Sequence, residues 1–174
     1  RELGNLPMLA DGLNSSADLR HSMGDNETSL QLATEAYQLS QSIGNAWNEG
    51  FACGIIGEIY LDRGQLSAAL EWLHRSVGLI RRSGPVILTL RAWLDIILAY
   101  LALGDLPNAH AALESAQELT DLVDGFFRDG FVRALQAFRV NLAVRDGEIA
   151  AAEQLIAELG LAPAPDRIFA IRII

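Results

Sequence analysis

Glycines recur along this chain of 174 residues at a spacing of 40 residues, and this repeat is the feature that most constrains its fold. In the first series the fourth member is three residues late: Gly24, Gly64, Gly104 and Gly147. A second series lies 20 residues away, with its fourth member one residue late: Gly4, Gly44, Gly84 and Gly125. Glycine is common just after the last turn of a helix, because it adopts a positive φ without steric cost. A helix-ending glycine about every 20 residues therefore predicts short helices joined by tight turns and stacked as a solenoid.

The residues between the glycines favour helices throughout the chain, because apolar positions recur at spacings of three and four rather than two. Eight complete helices are predicted, near residues 7–23, 27–43, 46–63, 67–82, 86–103, 107–123, 126–146 and 149–159. The end of one further helix is expected at residues 1–3, and the start of another near Asp166. Asp25 and Asp105 stand where a capping carboxylate would accept backbone N–H bonds. These signals together predict an all-α chain.

The composition sets limits on partners and location. The net charge is −9 and all 13 basic residues are arginines scattered along the chain, which argues against direct nucleic-acid binding. The single cysteine, Cys53, excludes an internal disulfide and fits a reducing compartment. The longest apolar stretch, residues 94–103, is interrupted by Asp95, so no membrane span is expected. We therefore expect a cytoplasmic protein.

Residues that could carry chemistry are few, and their spacing favours structural roles. His21, His74 and His110 fall in three different repeats, and none has a second ligand at a spacing typical of metal motifs. Carboxylates such as Glu114 and Glu118, four residues apart, are typical of a solvated helix face. No metal, no cofactor and no enzymatic activity are therefore expected.

Cys53 and the glycines around it form a small-residue region on one predicted helix. Gly50, Gly54 and Gly57 have the spacing of one helix face, and no strand precedes them, so close helix packing is favoured over a phosphate-binding loop. Cys53 is expected to be a small core residue rather than a reactive thiol.

Alignment of the repeats on the first glycine series exposes a fuller pattern. The second repeat has a glycine and a tyrosine in its first helix, a turn glycine, and then alanine and leucine: Gly57, Tyr60, Gly64, Ala69 and Leu73. The third repeat keeps most of these positions but has isoleucine in place of the first glycine: Ile97, Tyr100, Gly104, Ala109, Leu113 and Ala116. The first and fourth repeats have Arg20 and Ala143 where tyrosine is expected.

This pattern resembles the tetratricopeptide (TPR) repeat over nearly the whole chain. The resemblance implies a right-handed α-solenoid of about four antiparallel helix pairs with partial flanking helices, as a single unit over residues 1–174. The spacing of 40 exceeds the usual 34. This longer variant is similar to the C-terminal solenoids of large bacterial regulators, such as the maltose-activator-like and LuxR-type transcription factors. That similarity implies an interaction arm within a larger multidomain protein.

In such a solenoid the first helix of each pair lines the concave face. The residues expected there are Asn14, Ser15, Asp18, Phe51, Ile55, Glu58, Asp62, Arg91, Leu94, Asp95, Leu98, Phe138, Asn141 and Arg145. This face is acidic at one end and apolar in the middle, with Arg91 and Arg145 further along. It would complement a peptide with a basic end and an apolar anchor. The alternative is that these residues form only a solvated helix face.

The function expected from the sequence is therefore a protein-interaction module that binds a peptide, a partner domain or a small effector. A stand-alone adaptor is the first alternative. A small-effector pocket controlling an attached ATPase is another, and it requires a closed apolar cavity near Phe51, Leu94 and Phe138. The apolar residues 165–174 are expected to pack on the helix at 149–159, with homodimerisation as the alternative.

Overall fold

The computed structural model describes residues 5–81, 84–123 and 125–160 and contains no strand within them. It has eight helices there: α1 Leu6–Ser22, α2 Asn26–Ser42, α3 Ala46–Asp62, α4 Leu66–Ile80, α5 Val86–Leu103, α6 Leu106–Thr120, α7 Phe126–Arg145 and α8 Ile149–Glu158. Each helix end lies within three residues of its predicted position, so the all-α prediction is confirmed. The helices expected at residues 1–3 and near Asp166 lie outside the described residues, as do residues 165–174.

The turns between helices are built by a glycine followed by a polar residue. Gly64, with a φ of +69°, donates its N–H to Leu61, and the next N–H, of Gln65, bonds back to Tyr60. This Schellman arrangement satisfies carbonyls that the end of a helix leaves free. It recurs at the other predicted turn glycines of the first series, Gly24, Gly104 and Gly147, and at Gly44. The residue after the glycine then caps the next helix through its side chain at Asp25, Asn45 and Asp105.

Two glycines of the second series do not have the predicted role. Gly84 is not among the glycines with positive φ; a Cβ on it would come within 2.7 Å of the Trp47 ring, so close approach is what requires glycine there. Gly125 has a φ of +70°, but it stands immediately before α7 rather than at the end of α6, which ends at Thr120. The predicted helix-ending role is therefore wrong at these two positions.

The helices stack in two rows. Each helix packs on the next along the chain, and α1, α3, α5 and α7 also contact one another in succession. Within the described residues, the backbones of the even-numbered helices stay further apart, and α2 meets α4 through long side chains, with the Trp72 ring edge-on to Tyr37 and Arg75 over the Tyr37 ring. The odd-numbered helices are therefore the inner row and form the concave face, as the TPR-like pattern predicts.

Small residues hold the two helices of each pair together. Small residues five and twelve positions after the turn glycines, on the second helices, are fully or almost fully buried: Ser29, Ala36, Ala69, Ser76, Ala109, Ala116 and Ala152. In α3, a Cβ on Gly57 would lie 2.6 Å from Leu73, and one on Gly50 would lie 2.6 Å from Ile80. These contacts confirm that the α3 glycines allow close packing of α3 on α4.

Helix α5 is the most apolar of the described helices, with a mean hydropathy of 1.9 over its 18 residues. This helix is long enough and apolar enough to span a membrane, which was not expected from the interruption of its apolar stretch by Asp95. Buried core helices of soluble proteins can have the same length and hydropathy. Ile96, Ile97 and Leu101 lie in the main hydrophobic core, so the apolar character of α5 has a structural explanation.

The first prediction concerns the close contact at Gly57. Gly57→Ala should lower the free energy of unfolding by about 1–3 kcal/mol, because the added methyl overlaps Leu73 and the α4 backbone nearby. Gly12→Ala, in the interior of α1 with open space around it, is the matched control and should raise stability by about 0.5–1 kcal/mol. Urea unfolding followed by circular dichroism measures both changes, and equal effects would contradict the packing role.

The second prediction concerns Cys53, which is fully buried. Burial raises the pKa of its thiol to about 12, and the thiolate is the nucleophilic form. We expect Ellman's reagent to label Cys53 only as fast as the chain unfolds, and rapidly in concentrated urea. Stoichiometric labelling of the folded protein within seconds would show that the thiol is accessible.

Candidate functional site

The three inner helices α1, α3 and α5 bring six ionisable side chains together, with two contributed by each helix. These residues, the acidic cluster, are Asp18, His21, Glu58, Asp62, Arg91 and Asp95. The two members on each helix are three or four residues apart and therefore share one helix face. Asp18 and Glu58 occupy equivalent positions one repeat apart. Five of the six were predicted for the concave face, and the structure places them in one network.

Arg91 is the cation at the centre of this network. Its Nη2 donates to Asp18 Oδ1 at 2.7 Å and to Glu58 Oε2 at 2.5 Å, so α5 is tied to both α1 and α3. Burial lowers the pKa of Arg91, but the charges of Glu58 and Asp18 outweigh burial and raise it. The guanidinium therefore stays charged and already has carboxylate partners, which leaves it less able to bind an anionic ligand.

His21 is a member of the cluster that the sequence analysis did not assign to the concave face. Its Nδ1 lies 3.3 Å from Glu58 Oε2, and its Nε2 lies 2.9 Å from Asp62 Oδ2. The hydrogen bond with Glu58 raises the pKa of His21; burial opposes this and Asp62 adds to it. One feature of the sequence could have predicted this contact. His21 and Asp62 are 41 residues apart, one repeat plus one residue, which places them on neighbouring inner helices.

Asp95 is the most unusual member of the cluster. Its side chain is only 4% exposed, and its Oδ2 is buried without a hydrogen-bond partner. Burial and then the nearby charge of Glu58 raise the pKa of Asp95 well above its ordinary value, while Arg91 opposes them in part. The Asp95 carboxyl therefore holds its proton to a higher pH than an ordinary aspartate does.

A cavity of about 430 Å³, the acidic cavity, opens beside these residues. Four members of the cluster line it: His21, Glu58, Asp62 and Asp95. Most of its other lining residues are aliphatic: Leu61, Leu66, Leu98 and Ala102. The cavity therefore combines negative charge with an apolar wall. In the part of the chain that the structure describes, no three His, Cys, Asp or Glu side chains are arranged to hold a metal ion.

A second cavity of about 390 Å³, the apolar hollow, adjoins α5 where α7 begins. Leu94 lines it together with Phe127 and Phe131, and Asp129 and Arg133 stand at its edge. Phe127 is 59% exposed, which is high for an aromatic side chain. Because Leu94 directly precedes Asp95 in α5, the two cavities are neighbours along this helix.

Three residues predicted to bind on the concave face are instead part of the interior. Asn14 is fully buried, and its Nδ2 donates to the backbone oxygen of Asn48 at 2.9 Å. Ile55 and Phe138 are each 1% exposed and pack in the two hydrophobic cores. A partner cannot reach these side chains, so their predicted binding role is wrong. Inner helices in a solenoid must also pack on their neighbours, and these residues serve that packing.

The remaining predicted residues lie at the edges of the face. Asn141 and Arg145 are exposed and pair with each other, and Arg145 also donates to the backbone oxygen of Leu101 at 2.9 Å. Phe51 lines a small void of about 10 Å³, too small for an effector. Leu94 lines a different cavity, the apolar hollow, and Phe138 is buried in the core. Among the described residues these three side chains therefore do not share the closed apolar cavity that the effector-pocket alternative requires.

The stacked helix pairs and the short turns between them define a TPR-like α-solenoid, and solved structures support this class. RapI, in its apo form, matches with a TM-score of 0.71 over 90% of this chain at 16% identity. BtubC (BKLC) from P. vanneervenii matches with a TM-score of 0.69 over 96% of this chain and 71% of its own, at 13% identity. A kinesin light chain protein from Podosopora anserina, with nearly identical TPR-like repeats, matches with a TM-score of 0.67 over 92% of this chain and 78% of its own, at 14% identity.

The chain spans only 43% of the length of RapI. No protein-family model and no curated protein matches the sequence. At these identities the likeness establishes the TPR-like fold. It leaves the 40-residue regulator variant as a prediction.

The third prediction follows from the raised pKa of Asp95. A raised pKa means that the folded state holds a proton that the unfolded state loses near pH 4. The contribution of protonated Asp95 to the free energy of unfolding is full below pH 4. It is lost as the pH rises towards the pKa that Asp95 has in the folded chain. Relative to Asp95→Asn, which cannot ionise, the wild-type chain should lose up to about 1.4 kcal/mol per pH unit in that window.

Urea unfolding of both proteins from pH 4 to 8 measures this difference. The subtraction cancels most of the His21 contribution, which has the same sign but is lost at higher pH because its ordinary pKa is 6.5. Asp62 and Asp18 are present in both proteins, so any contribution they make to the free energy of unfolding also cancels in the subtraction. A difference that does not change with pH would show that Asp95 ionises normally in the folded chain.

Proposed function

We propose that this chain is a protein-interaction module whose concave face binds a segment of a partner carrying a basic group and an apolar side chain. The observation that carries the proposal is the acidic cluster, in which four carboxyl groups face one arginine and one histidine on the inner helices. The apolar hollow lies beside it on α5. Negative charge next to an apolar recess suits a basic group followed by a bulky apolar anchor.

The same charges weigh against an acidic partner. Asp62 lines the acidic cavity and is 54% exposed, so it can steer a cation towards the face while it also pairs with His21. Arg91 is already paired with Asp18 and Glu58. An approaching carboxylate would meet excess negative charge and no available lysine, because the chain has none.

The fourth prediction tests this function by selection from a random peptide library displayed on phage, with the full chain immobilised. The selected peptides should be enriched in lysine or arginine close to a bulky apolar residue. Asp62→Arg should weaken their binding at least tenfold, because it reverses the charge at the cavity rim. Fluorescence anisotropy with synthetic peptides measures the affinity, which should fall as salt increases.

Glu118→Arg is the matched control, because Glu118 is an exposed acid on α6 in the outer row. It makes the same change in net charge and should leave binding within twofold. Circular dichroism verifies that both variants keep their helical content. Enrichment of acidic peptides, or equal binding to both variants, would contradict a role for the concave face.

We further propose that this module is an arm of a larger cytoplasmic bacterial regulator, on the strength of the 40-residue spacing. Sequencing the coding region on both sides provides the test. A nucleotide-binding domain or a DNA-binding helix-turn-helix in the same reading frame supports a regulator. Only further 40-residue repeats would instead support the adaptor or scaffold alternative.

A further inference from the structure

Asp95 has an unfilled hydrogen-bonding position next to a cavity of ligand size. Its Oδ2 is buried, makes no hydrogen bond and belongs to a side chain that lines the acidic cavity. A buried polar group without a partner destabilises the folded chain. The five other cluster members satisfy one another through ion pairs or hydrogen bonds, so this oxygen stands out as the group that lacks a donor.

The walls of the cavity define the kind of donor that fits. Glu58, Asp62 and Asp95 supply carboxyl oxygens. An ammonium group is compact and has three N–H donors, which suits several carboxyl groups converging from different helices. A planar guanidinium prefers a single carboxylate that it can bind through two parallel bonds. Leu61 and Leu98 offer an aliphatic surface for the stem behind the charged group.

We propose that the acidic cavity binds a primary ammonium group on an alkyl stem, with the ammonium donating to Asp95 and Asp62 and the stem lying against Leu61 and Leu98. This is the chemistry of a lysine side chain and equally of a free alkylamine. The inference rests on the proposed function, because it names the basic group that a partner inserts into the concave face. It also assigns Asp95 as the residue that selects for that group.

Binding of the ammonium has a consequence for the proton of the Asp95 carboxyl, whose pKa is raised in the folded chain. The bound cation replaces that proton, so the Asp95 carboxyl becomes a carboxylate and one proton leaves to solvent. The ligand keeps its own charge throughout. Binding of an ammonium to this site is therefore accompanied by net proton release.

The experiment uses the ¹⁵N-labelled full chain and four probes followed by NMR titration: pentylammonium, Nα-acetyl-lysine methylamide, pentylguanidinium and 1-pentanol. The two ammonium probes should give saturable shifts of the amides around Leu61, Asp62 and Leu98. Pentanol should bind at least tenfold more weakly. Stronger binding of the lysine derivative than of pentylammonium identifies a partner's lysine as the source, and the reverse identifies a free amine.

Two variants and one control make the test specific. Asp95→Asn should weaken both ammonium probes at least tenfold and abolish proton release, measured by calorimetry in phosphate and Tris buffers. Ala102→Leu should weaken them by narrowing the cavity while every charge remains. Asp11→Asn removes one exposed carboxylate of the same type and should change nothing.

Several results would overturn the inference. These are the absence of saturable shifts with both ammonium probes, equal binding by Asp95→Asn and wild type, or preference for pentylguanidinium. The proposed function fails separately. Library peptides that bind with dependence on Asp62 but no dependence on Asp95 or on an ammonium would keep the interaction module and remove the ammonium site.

Discussion

Close approach of the two helices within each pair is the constraint on which the rest of the structure depends. Gly57 and Gly50 allow the α3 backbone to reach Leu73 and Ile80 in α4, at distances that a side chain would prevent. Buried alanine and serine residues serve the same purpose in the other pairs. Because the second helix packs so closely on the outside, the odd-numbered helices face one another across the inside. The concave face therefore depends on small residues that do not lie on it but between the two helices of each pair.

The inner row then has to accommodate the side chains that the repeat brings together. Asp18 and Glu58 are equivalent residues one repeat apart, so like charges converge where α1 meets α3. Arg91, on the inner helix of the next pair, bonds to both and offsets part of their negative charge. His21 contributes a second partner for Glu58. The pairing is incomplete, because Asp95 reaches the same region and its Oδ2 finds no donor.

The sequence was sufficient for the helices because their signals are local. A positive-φ glycine such as Gly64 and a capping side chain such as Asp25 act within a few residues of the turn they form. The glycines Gly84 and Gly125 were misassigned because their roles depend on distant contacts or on the helix that follows.

The site could be predicted only in outline. The repeat assigns residues to the inner helices, but whether an inner residue is exposed depends on how far the neighbouring helix covers it. Asn14 is covered by α3 and bonds to Asn48, while Asp18, one turn later, remains half-exposed. His21 was considered only as a metal ligand, and its contacts with Glu58 and Asp62 arise from stacking across about 40 residues of sequence.

The position of Asp95 argues that binding, rather than stability, accounts for the charge in α5. The residues that follow it, Ile96 and Ile97, are fully buried in the core of a strongly apolar helix. Buried ionic groups are often replaced by apolar residues at no loss of stability, and an unpartnered oxygen adds a further cost. Under the proposed function that cost is offset when a ligand supplies the missing donor. Leu98, three residues after Asp95, lines the same cavity, so a ligand that reaches the Asp95 carboxyl also meets an apolar surface.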